Sequence, residues 1–142
     1  MFLLFNMRII VFILGLFFFF KAEILYSQNQ WKQVTEIEGK YSFYVNLDQI
    51  KEKKGYMFFW QLINYSVKDE YGDLSAKINI QGDCRLNRFR WLRISYHKLS
   101  MARDNVESQE PAENYKNWHY PDKNSTSSAV LNYVCNAVGI SI

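Results

Sequence analysis

The chain has 142 residues, with 17 Lys and Arg against 14 Asp and Glu and a net charge of +3. So balanced a charge excludes a nucleic-acid binder held by bulk electrostatics, and the length allows one domain with a real core but not two. Two cysteines and two histidines leave little material for metal or thiol chemistry.

From Ile9 to Phe20 every residue except Gly15 is strongly apolar, preceded by Arg8 and followed by Lys21 and a polar exit through Tyr26 and Ser27. This is the pattern of a secretory signal peptide over residues 1–27, with the mature domain over 28–142. The competing reading is an uncleaved anchor, which would place Arg8 in hydrocarbon at a cost of about 3 kcal/mol. Membrane contact is expected only through this segment, if it is retained. The expected location is the periplasm, the cell surface or the medium.

Trp31 to Ile37 alternates loosely, and Gly39 and Lys40 make a turn before a second short strand, Tyr41 to Val45. Leu47 to Lys54 reads as a helical turn or irregular link ending at Gly55. Tyr56 to Tyr65 is apolar on both faces, as expected of a central strand covered by a helix on one side and by loops or a partner on the other.

A charged turn, Lys68 to Asp73, leads to the cleanest period-two pattern of the chain. Leu74, Ala76, Ile78, Ile80 and Cys84 share one face, and Ser75, Lys77, Asn79, Gln81 and Asp83 share the other, the mark of a half-buried antiparallel strand. After Cys84, Arg85, Arg88, Arg90 and Arg93 interleave with Phe89, Trp91, Leu92, Ile94 and Tyr96. The apolar set switches from odd to even positions, which predicts a bulge near Trp91.

Ala102 to Lys116 has no periodicity and reads as a long exposed loop. Pro121 blocks easy continuation of a strand, and Asn124 or Ser125 is placed to cap a helix. Val130, Val134 and Val138 recur at i+4 beside Leu131 and Cys135, and Gly139 supplies the stop. Strands followed by one helix give an α+β class, a small antiparallel β-sheet with a C-terminal helix packed on it.

In an oxidising compartment Cys84 and Cys135 are expected to form one disulfide, with two buried reduced thiols as the alternative. The bridge would close a loop of about 50 residues and stabilise the fold by roughly 4 kcal/mol. No Gly-x-Ser-x-Gly elbow, Walker loop or His-Glu-x-x-His helix is present. Neither a catalytic site, a metal nor a cofactor is expected.

Arg88 and Arg90 fall on one face of their strand. They form either a basic stripe suited to anionic glycans or acidic proteins, or a solvated face paired to Asp83, Asp69 or Glu70. Nucleic acid is not an expected partner.

The layout places Trp31 at the opening of the mature part, Tyr44-Val45 on an early strand, and Trp60 on the aromatic strand. Ser75 and Lys77 lead to Asp83-Cys84, and Trp118 and Pro121 precede Val134-Cys135. It resembles the bacterial surface-adhesin protein E family over nearly all of Trp31 to Cys135. At Pro121-Asp122-Lys123 the chain departs from the family's Pro-Gly-Ser turn.

The resemblance implies an exported envelope protein in which Cys84 pairs with Cys135 and Trp31, Trp60 and Trp118 anchor the core. It also implies adhesion to extracellular-matrix or serum proteins of a host. Two functions follow as expectations. One is a binding module that contacts an extracellular protein or anionic glycan through an exposed sheet face. The other is a structural envelope protein without a ligand, self-associating as a homodimer through its aromatic strand.

Overall fold

The computed structural model describes residues 31–139; the expected export segment, residues 1–27, lies outside them. Six strands and two helices follow in order: β1 (Trp31–Ile37), β2 (Tyr41–Asn46), β3 (Lys51–Lys53), β4 (Tyr56–Tyr65), β5 (Ser75–Asp83), β6 (Arg88–His97), α1 (Glu113–Lys116) and α2 (Thr126–Ala137). The sheet is antiparallel throughout, in the order β1-β2-β4-β5-β6. Short β3 pairs with the Tyr56 end of β4, beside the stretch that β2 occupies.

Trp31, Val34 and Ile37 are three apart because the β1–β2 register shifts between Gln33 and Thr35, which makes Val34 the extra residue. The link after β2 is a 3-10 turn over Leu47–Gln49, begun by the Asn46 side chain accepting from the Asp48 N–H. Lys51–Lys53 then forms a strand instead of continuing as an irregular link, because it completes the β4 edge that β2 leaves open.

The aromatic strand β4 is central, as its two-sided apolarity predicts. Met57 and Phe59 face α2 and are fully buried, while Tyr56, Phe58 and Trp60 lie half-buried on the other side. β5 is more buried than a half-buried strand. Ala76, Ile78, Ile80 and Cys84 enter the core, but Ser75, Gln81 and Asp83 are buried on the opposite face as well. The cause is its place between two ten-residue strands that carry long side chains across it.

α2 begins at Ser125, whose side chain accepts from the Ser128 N–H, and it buries Val130, Leu131, Val134 and Cys135 against the sheet. Val138 falls outside this stripe and is exposed at the helix end, just before Gly139 in the left-handed region. Cys84 and Cys135 form the disulfide, with Cα atoms 5.8 Å apart, tying the end of α2 to the end of β5.

Gly82 sits where α2 comes closest. A Cβ there would lie 2.7 Å from Leu131 Cδ1, so only glycine allows this contact without displacement.

The stretch Ala102 to Lys116 is not an unstructured loop. Gln109 exchanges two backbone hydrogen bonds with Ile94, and Glu113–Lys116 forms the turn of α1. Further on, His119 exchanges two with Phe89, so the outer edge of β6 is capped at both places.

Candidate functional site

The β5–β6 register shifts between Asn79 and Ile80, leaving Leu92 unpaired beside Trp91. This is the bulge that the change of apolar phase predicts. It puts Phe89 and Trp91 toward α2, where they pack on the core, and Arg88 and Arg90 on the opposite face.

Both arginines are held from two directions. Arg88 Nε donates to Asp83 Oδ2 at 3.1 Å, and the Asp83 side chain is only 3 % exposed. Arg90 Nε donates to Gln81 Oε1 at 2.9 Å. Both guanidinium groups lie over the ring of Trp118, 4.3 and 4.8 Å from its centre, and Trp118 in turn stacks on Tyr56. On the same face Lys77 Nζ lies 5.0 Å from the centre of the Trp60 ring.

Burial alone would lower the Arg88 guanidinium. Hydrogen bonding to the Tyr120 oxygen and the Asp83 carboxylate outweighs this and holds it above its ordinary value. The face therefore carries fixed positive charge on an aromatic platform.

Asp83 is thus the acidic partner on the neighbouring strand. Asp69 is occupied in its own turn, where Oδ1 accepts from the Tyr71 and Asp73 N–H groups. Trp31, Trp60 and Trp118 are not core anchors: all three are half-buried, and Trp60 and Trp118 belong to the cationic face. Sequence reasoning missed Trp118 and Lys77 as members of this face. The available signal was the alternation of Asn-Trp-His-Tyr before Pro121, which sends Trp118 to one side of the added edge and His119 to the other.

The two histidines do not converge. His97 is 1 % exposed and lies between Ser95 Oγ and Asp104 Oδ1, each 2.9 Å from a ring nitrogen. The connectivity is that of a Ser-His-Asp relay, but Ser95 is 2 % exposed, so no substrate carbonyl reaches its hydroxyl in this conformation.

The group instead fastens the segment after β6. The Lys98 N–H bonds to Asp104, and Ser75 Oγ accepts from the Ala102 N–H and donates to the Leu99 carbonyl. Burial raises the Asp104 carboxyl, but the backbone N–H groups of Lys98 and Asp104 and the His97 ring more than reverse this and leave it below the usual carboxylate value. Among the described residues no cluster of His, Cys, Asp and Glu has the geometry to hold a metal. None of the described helices is long and apolar enough to cross a membrane.

A model of the family described as surface-adhesin protein E matches residues 31–136. The chain belongs to that family. Its fold is also that of protein E from Haemophilus influenzae, solved in crystal form II. The match has a TM-score of 0.61 at 10 % identity and covers 79 % of this chain and 91 % of that one. No curated protein matches the chain in sequence. Family and fold together make it a surface-adhesin type of protein.

Proposed function

We propose that this adhesin-family chain is an exported cell-envelope binding protein, without catalytic activity, whose cationic face contacts anionic groups on an extracellular protein or glycan. The observation that carries the reading is the pair of arginines laid side by side over Trp118. Their Nε atoms are spent on Asp83 and Gln81, so the planes of both guanidinium groups are set before any ligand arrives. Pre-set forks lose less rotamer entropy on binding carboxylate or sulfate than free surface arginines do. Export is supported by the apolar run Ile9 to Phe20 and by a disulfide that needs an oxidising compartment to persist.

Arg88 is a poor probe, because its removal strands the nearly buried Asp83 carboxylate. The test is Arg90→Gln against Lys123→Gln, which removes the same charge from the turn ahead of α2, next to β1. On a heparin column at low salt, the Arg90 variant is expected to elute clearly earlier than the Lys123 variant, with both melting within a few degrees of the parent. Equal elution of the two would leave only bulk charge and favour a structural envelope protein without a ligand.

A further inference from the structure

On the opposite side of the sheet, between β4–β6 and the N-terminal half of α2, lies a cleft of about 160 Å³. Phe59, Ile80, Leu131 and Val130 form its floor and one wall. The other wall is Trp91 stacked on Tyr115 at 4.0 Å and 7°, beside His119.

One residue in it is out of place. Gln61 occupies the α2-facing side of the central strand, opposite Val45 and Ile78, where every neighbouring position is apolar. It is 8 % exposed, and its side-chain amide bonds to none of the described residues. An amide with no protein partner has to bond to solvent or to a ligand, a requirement that leucine at this position would not have. Its amide atoms are not sealed off, since the sole fully enclosed orphan among the described side chains is Asn87 Oδ1. The open direction for Gln61 is the cleft it lines.

From this combination we infer that the cleft is a small-molecule site for an uncharged, single-ring aromatic compound carrying one hydroxyl or carboxamide group that bonds to Gln61. Size sets the ring count: an apolar cavity of about 150 Å³ accepts one benzene. Polarity sets the substituent. The lining holds no Lys, Arg, Asp or Glu, and Gln61 both donates and accepts. His119 Nε2 is taken up by the Asn114 carbonyl at 2.9 Å, which keeps the imidazole in place as part of the wall. The parallel Trp91–Tyr115 pair supplies flat faces for a ring to lie against. This site is independent of the cationic face, from which the sheet separates it.

The test titrates phenol and toluene into the purified protein and follows the methyl resonances of Ile80, Val130 and Leu131 by NMR. Saturable shifts confined to these methyls are expected for both compounds, with phenol the tighter. Gln61→Leu should keep toluene binding and weaken phenol relative to toluene roughly tenfold, the worth of one hydrogen bond. Ser127→Phe, a half-exposed position lining the cleft, should remove both without lowering the melting temperature. Absence of saturable shifts with either compound overturns the site. A phenol-to-toluene ratio unchanged in the Gln61 variant overturns the assignment of its ligand class.

Discussion

Removing the disulfide is the perturbation whose size the structure sets most directly. Cys84 and Cys135 are 51 residues apart, and both are buried, so the bridge restricts the unfolded chain over nearly half the described fold. In the loop-entropy treatment a closure of this length removes about 14 cal/mol/K from the unfolded state, or about 4 kcal/mol near 25 °C. With an unfolding entropy of roughly 2.1 cal/mol/K per residue over residues 31–139, the double substitution Cys84→Ala and Cys135→Ala should lower the melting temperature by roughly 17 °C. Calorimetry on parent and variant measures this. Two titratable thiols in the denatured, unreduced parent would refute the bridge, and a fall below about 5 °C would refute the entropic account of its worth.

Two further outcomes follow from close contacts. Gly82→Ala drives a methyl group to 2.7 Å from Leu131 Cδ1, whose helix is tethered by the disulfide, and should cost about 1–3 kcal/mol. Chemical denaturation checks it, and the clash is identified as the cause if Gly82→Ala costs little more in a Leu131→Ala background, which itself loses core packing. The Asp104 carboxyl titrates below its ordinary value in the folded protein, so its ionised form adds stability above that value. The contribution is lost as pH falls through the ordinary value toward the lowered one. Asp104→Asn should therefore melt below the parent at pH 7, with the gap narrowing as pH falls below the ordinary carboxylate value, and a gap independent of pH would exclude the charge as its source.

The strands were legible where alternation was strict or apolarity two-sided, as in Ala76 to Cys84 and Tyr56 to Tyr65. The bulge at Leu92 was legible as a change of phase. What could not be read was partnership across strands. Asp83 and Gln81 looked like solvated positions of an alternating strand, and they are buried because Arg88 and Arg90 reach over them from β6. Likewise the family resemblance implied that Trp31, Trp60 and Trp118 anchor the core. The amphipathic rings of Trp60 and Trp118 instead support cations, a role set by pairing between residues distant in sequence. Gln61 was invisible as a site residue, because a polar residue in an apolar strand signals nothing until its surroundings are known.

The existence of the cleft follows from the proportions of the fold. A helix about 10 Å across shields a band roughly two strands wide, given a strand spacing of about 4.8 Å. Five strands lie side by side here, and the order of the sheet provides one long helix to cover them. α2 packs toward β1 and β2 and approaches the β5 end through Leu131 against Gly82 and the Cys84 bridge. The β6 side of the same face must be covered by something else. The chain uses Tyr115 stacked on Trp91 and His119 tilted beside Phe89, both carried by the short segment bonded to the β6 edge. A helix row and a set of aromatic plates cannot interdigitate as two helices would, so a seam remains where they meet. Gln61 stands at the floor of that seam, on the central strand, which is where a group that recognises a bound ring has to be.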